Sequence, residues 1–163
     1  MQIVRRLALG KTAMIAEQQK RILVVDDEAD IRKLLCTVLR GRGLSVDEAE
    51  DGKQALDLIG THRYDVIVLD LLMPVLDGFA VAETLSGLTP HPVVLVVTGA
   101  EHGRIESLDP AAFHGIVRKP FDAEELAKLV AECAEIRSRA SRETMALAMV
   151  AGGSLFALLN FPM

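Results

Sequence analysis

Short apolar runs recur along the chain, and each stops at a polar residue. Arg21 to Val25 ends at Asp26-Asp27, Tyr64 to Leu69 at Asp70, Val93 to Val97 at Thr98, and Phe113 to Arg118 at Lys119-Pro120. Runs of this length, rich in β-branched residues, read as buried parallel strands. Leu44 to Ala49 supplies a fifth. Between them the apolar spacing turns helical. Ile31, Leu34, Leu35, Val38 and Leu39 predict a stripe on a helix over about 29–40, which Gly41 and Gly43 allow to stop. Asp51-Gly52 predicts a turn, with Ala55, Leu56 and Ile59 on the helix after it, and a further helix is expected over Gly78 to Ser86. A short helix is expected near Arg104 to Leu108, broken by Asp109-Pro110. The last helix starts behind Asp122 as N-cap with Glu125 three residues on, and Leu126, Leu129, Val130, Cys133 and Ile136 form its expected buried stripe.

Strand and helix thus alternate five times, which predicts an α/β fold: a doubly wound, five-stranded parallel sheet with helices on both faces. The chain has 163 residues, half of them hydrophobic, enough for one domain with a real core. We divide it into an extension over 1–19, a domain over 20–137 and a basic, then apolar, tail over 138–163. Translation from Met14, or disorder over 1–13, would account for the patternless start. The net charge of −5 argues against a nucleic-acid-binding surface, which is usually basic. Cys36 and Cys133 form no CxxC pair and read as reduced, packed thiols of a cytoplasmic protein. His62, His91, His102 and His114 lack metal-ligand spacing. Residues 144–163 carry no charge and follow Arg137, Arg139 and Arg142. Three readings of this segment stay open: an anchor at the inner face of the membrane, packing on a partner or second protomer as in a homodimer, and disorder. Gly152-Gly153-Ser154, Asn160 and Pro162 weigh against the anchor.

Ligands of open α/β sheets collect beyond the carboxyl ends of the strands. Three carboxylates (Asp26, Asp27, Asp70), the Thr98 hydroxyl and the Lys119 ammonium should therefore meet at one edge. Hard oxygen donors of this kind suit Mg2+, and the backbone carbonyl of Leu72 could add another. Crowded carboxylates repel, so such a pocket favours a cation. Asp70 is placed to attack phosphorus and form an acyl phosphate, with the cation, Lys119 and Thr98 each taking a phosphoryl oxygen. Taken singly, each residue has a plainer reading: a helix cap for Asp26-Asp27, a turn for Asp70, a loop start for Thr98, a solvated side chain for Lys119. Their joint order favours the phosphoacceptor reading. Asp77-Gly78 is assigned to turn chemistry alone. The Lys119-Pro120 bond is expected to be cis, aiming the lysine back over the strand ends.

The motifs Leu23-Val24-Val25-Asp26-Asp27-Glu28, Asp70 to Gly78, Val97-Thr98-Gly99-Ala100 and Arg118-Lys119-Pro120-Phe121 resemble those of response-regulator receiver domains of two-component signalling (the CheY-like fold), over about Gln19 to Arg137. That resemblance implies strand order 2-1-3-4-5. It implies phosphorylation of Asp70 by a histidine kinase or histidine phosphotransfer protein, and direct Mg2+ ligation by Asp27 and Asp70, with Asp26 acting through water. Lys119 would pair with the phosphoryl group, and Thr98 would move toward it and carry the signal to an unknown downstream protein. Such a domain is not an enzyme beyond promoting its own phosphorylation and dephosphorylation. Two features depart from the pattern. Ile116 stands where the family often has an aromatic switch residue, and Leu72 and Ala100, flanking the pocket, are both apolar, so that Leu72 is expected to shield the acyl phosphate from water. Two rivals are weighed. A non-switching scaffold module is favoured by Ile116. An aspartate-nucleophile phosphatase would need a second acid where Leu72 stands.

Overall fold

A computed structural model describes residues 19–100, 105–106 and 109–150, with side chains through 144. The elements are β1 (Arg21–Val25), α1 (Ala29–Gly41), β2 (Ser45–Ala49), α2 (Gly52–Thr61), β3 (Val66–Leu69), α3 (Gly78–Ser86), β4 (Val93–Thr98), β5 (Gly115–Arg118) and α4 (Ala123–Val150). A 3-10 turn, Pro110–Ala112, precedes β5. The strands form one sheet in the order β2-β1-β3-β4-β5, with every neighbouring pair parallel. This is the expected α/β sheet in the expected order.

Successive side chains of a strand point to opposite faces, and here both faces are covered. Ile22, Val24, Val66, Val68, Leu95 and Val97 pack with Leu35, Cys36 and Leu39 of α1 and Leu126, Ala127, Val130 and Ala134 of α4. Leu23, Val25, Ile67, Leu69, Val94 and Val96 pack instead with Ala55 of α2 and Val81, Ala82 and Leu85 of α3. Double coverage explains why the inner strands read as unbroken apolar runs.

Three expectations need correction. β5, at the edge as the expected order has it, is not a buried run: Gly115 and Val117 are partly covered, while Ile116 and Arg118 are exposed. Leu34 of α1 lies outside the buried stripe at 52% exposure. In α4, Leu129 and Ile136 face outward, and the alanines Ala127 and Ala134 take the buried line. A stripe counted from large apolar residues alone is rotated away from the face these small residues occupy. The helix then runs unbroken to Val150, because no glycine or proline stands between Ala123 and Val150, and the 137/138 boundary falls inside it. The helix expected at Arg104 to Leu108 lies mostly outside the described residues, as do the readings made for 1–18 and for 151–163. Among the described residues, no helix is long and apolar enough to cross a membrane.

The caps follow local chemistry. Asp51 accepts from the Gln54 N–H at 2.8 Å, Asp77 from Ala80 at 3.1 Å and Asp122 from Glu125 at 2.9 Å. Both cysteines are free, Cys36 buried and Cys133 partly covered.

Candidate functional site

Backbone bonds carry the sheet one residue past the strand ends and so fix where the polar residues stand. The Asp26 N–H donates to the Ala49 carbonyl (3.2 Å), that of Asp70 to Val25 (2.9 Å), and that of Lys119 to Thr98 (3.1 Å). β1 and β3 are neighbours although α1, β2 and α2 lie between them in the chain. Asp26-Asp27 and Asp70 are thereby brought together at the point where the winding changes direction, the usual ligand crevice of such sheets.

Carboxylate oxygens of Asp26, Asp27 and Asp70 lie within 4.8 Å of one another. Asp26 and Asp70 are almost fully buried, at 2% and 3% exposure, and Asp27 is exposed. Lys119 Nζ lies 2.7 Å from Asp70 Oδ2, 2.9 Å from Asp26 Oδ2 and 2.8 Å from Glu28 Oε1. The Lys119–Pro120 peptide bond is cis, as the sequence reading has it. The second Asp70 oxygen accepts from the Leu72 N–H at 3.0 Å, and Asp26 Oδ1 accepts from the Glu28 N–H at 2.8 Å. Asp26 therefore receives a backbone N–H at the start of α1, while Glu28, the N-cap position itself, makes no side-chain cap. Thr98 ends β4, wholly buried, and its hydroxyl accepts from the Ala100 N–H at 3.1 Å.

The site is a charge balance. Burial pushes the Asp26 carboxyl above its ordinary range and Asp70 adds to this, while Lys119 and the Glu28 N–H pull it down without winning. For Lys119, burial opposes the charge, yet the hydrogen bonds to Asp70, Glu28 and Asp26 outweigh it and hold the ammonium above its usual pKa. One amine shared among three acids compensates none of them fully. The excess of hard oxygen donors fits a divalent ion such as Mg2+, which typically takes one or two carboxylates and keeps open positions for water and phosphate.

The sequence reading overlooked two groups. Glu28 stands directly after the Asp26-Asp27 pair, and its carboxylate accepts from Lys119. Arg32 donates from Nη1 to the Asp26 carbonyl at 2.6 Å, and its Nε lies 3.6 Å from Glu48, tying the acidic loop to β2. Their positions in the first turn after Asp26-Asp27 were the available signal. Arg118 also donates to the Ala100 carbonyl, bracing the segment after Thr98. Gly78 has a role beyond the turn: a Cβ there would meet the Asp70 carbonyl oxygen at 2.0 Å and Leu71 Cα at 2.7 Å. At the pocket rim Leu72 is 40% exposed and Ala100 is buried, while Ile116, opposite Val96 on the outer strand, is 39% exposed.

The model of the response regulator receiver domain matches residues 22–131. The chain belongs to the response regulator receiver domain family. The receiver is 43% identical over 108 residues to the response regulator MprA of Mycolicibacterium vanbaalenii, covering 65% of this chain and 46% of that protein. It is 39% identical over 130 residues to MprA of Mycobacterium tuberculosis, covering 78% and 56%. The chain spans about half the length of these curated relatives. Among solved structures, the response regulator TrrA of Thermotoga maritima, in complex with Mg2+ and BeF, superposes with a TM-score of 0.63 at 36% identity over 71% of this chain and 99% of that one. The receiver is thus a signalling domain of two-component response regulators.

Proposed function

We propose that this receiver is a phosphoacceptor switch that takes a phosphoryl group on Asp70 from a histidine kinase or histidine phosphotransfer protein. The observation that carries this reading is the convergence of Lys119 on Asp70 and Asp26 at 2.7 and 2.9 Å, with Asp27 in the same carboxylate cluster. An Asp70 carboxylate oxygen attacks phosphorus and forms an acyl phosphate. The phosphorus–nitrogen bond to the donor imidazole breaks, and the imidazole keeps the electron pair and takes up a proton. Lys119 exchanges its contact with Asp70 for a phosphoryl oxygen. The Leu72 N–H, already on Asp70, keeps the nucleophile oriented. Asp26, Asp27, Asp70 and the Leu72 carbonyl would hold Mg2+, which when bound supplies positive charge against the phosphoryl oxygens.

Thr98 would release the Ala100 N–H and turn its hydroxyl to the new phosphoryl group. With Ile116 in the neighbouring strand there is no aromatic ring to follow it, so the signal would pass by aliphatic repacking around β4 and β5 to a downstream protein. Leu72 would screen the acyl phosphate from water.

Intact-mass measurement after incubation with Mg2+ and a small phosphodonor such as acetyl phosphate tests this. The expected product is one added phosphoryl group, absent from Asp70→Asn, with faster loss from Leu72→Asn than from the wild type. No adduct, or one that persists in Asp70→Asn, overturns the phosphoacceptor reading. Equal lifetimes overturn the shielding by Leu72.

A further inference from the structure

The last helix outruns the body it packs on. Its buried contacts are Leu126, Ala127, Val130 and Ala134, yet it continues to Val150, about 24 Å further at 1.5 Å per residue. A helical stretch of that length is marginal by itself and gains its stability from packing one face. The overrun has such a face. Leu129, Cys133, Ile136 and Ala140 follow one another at spacings of four, three and four, and the sequence continues the same rhythm through Glu143 to Leu147 and Val150.

At 100° per residue this seam lies about a third of a turn round from the buried line. Leu129 is 38% and Ile136 69% exposed; Ala140 is exposed and Cys133 partly covered. A 3.5-residue apolar period is the signature of a left-handed coiled coil. Cys133, Ala140 and Leu147 take heptad position a, and Leu129, Ile136, Glu143 and Val150 take position d. Glu132 then falls at g and Arg137 at e. In a parallel pair, g of one helix meets e of the next heptad of its partner, so Glu132 of each copy faces Arg137 of the other. The nearby intrahelical ion pairs use other residues, joining Arg139 and Arg142 to Glu135. Antiparallel pairing would set g against g and e against e, losing the match.

We infer that the overrunning half of α4 pairs with the same segment of a second copy as a parallel two-stranded coiled coil. Ala140 and Glu143 make a thin seam, so the association is concentration-dependent. It needs no phosphorylation of Asp70 and stands apart from the proposed switch.

Sedimentation velocity of the full chain over a dilution series, without lipid, tests it. The expected mass is twice that of the chain at the concentrated end, falling to one chain on dilution. Ile136→Glu should raise the dissociation constant at least about tenfold, with circular dichroism matching the wild type at dilutions where both are single chains, since this side chain lies outside the core. Glu132→Arg and Arg137→Glu should each weaken the dimer, and the two together should restore it. A short bismaleimide should join two chains through Cys133. A single-chain mass at every concentration overturns the inference, as does a dimer indifferent to Ile136→Glu or self-association only on added phospholipid vesicles. Failure of the double charge exchange to restore the dimer overturns the parallel pairing.

Discussion

Asp70 depends on a residue that carries no side chain. Gly78 opens α3 directly behind the Asp70 peptide, where an added methyl would overlap the Asp70 carbonyl oxygen at 2.0 Å. Backbone cannot yield as a flexible side chain does, so Gly78→Ala should destabilise the fold by about 3 kcal/mol, read as a lower urea midpoint at unchanged slope. The same substitution at Gly60, where a Cβ meets nothing within 4 Å, is the control. This requirement was not legible in the sequence. Asp77-Gly78 looks like turn punctuation, and the Asp77 cap bears that out, but the approach of two backbone segments exists only once β3 and α3 have packed. Asp26, Asp27, Asp70, Thr98 and Lys119 were legible because each ends an apolar run, and strand ends of a parallel sheet share one edge. Glu28 and Arg32 were not singled out because their roles depend on where the α1 turn points them.

At the scale of elements, the opposite end of the sheet is held by a polar network. Asp47 of β2 accepts from Arg21 Nε of β1 at 2.7 Å and from the Tyr64 hydroxyl, just before β3, at 2.8 Å. Burial pushes the Asp47 carboxyl up, but the hydrogen bonds from Arg21 and Tyr64 outweigh it and leave its pKa below the ordinary value. A carboxylate with a depressed folded pKa contributes stability that is complete above its unfolded pKa, about 4, and is lost as pH falls through the folded value. Asp47→Asn should lower stability by about 1 kcal/mol near neutrality. The deficit should shrink below about pH 4, as urea midpoints measured across pH will show. Patterning identified all five strands but not the exposure of β5, since an apolar run does not say how many neighbours it has; the strand order implied by the family resemblance is what places β5 at the edge. It likewise misplaced the buried line of α4, because alanine is small enough to lie against the sheet yet weighs little in a count of large apolar side chains.

At the scale of the whole molecule, folding gathers charges that the unfolded chain keeps apart. Among the described residues the carboxylate cluster is held by the Lys119 ammonium alone, so a divalent cation that binds only the folded pocket should stabilise the entire domain. At a free concentration about a hundredfold above the dissociation constant, the gain is about 2.7 kcal/mol. Thermal denaturation with Mg2+, then with excess chelator, should show the midpoint rise and return. Asp27→Asn should blunt the rise without lowering the metal-free midpoint, because Asp27 is exposed. One more consequence follows from Tyr64. The chain has a single tyrosine and no tryptophan, so its emission on excitation beyond the phenylalanine absorption band comes from one ring, held 5.6 Å beneath the Arg21 guanidinium at the amino end of the sheet. That ring is an intrinsic optical gauge of strand-entry integrity, and chemistry at the acidic edge can register in it only by being transmitted along the full length of the strands.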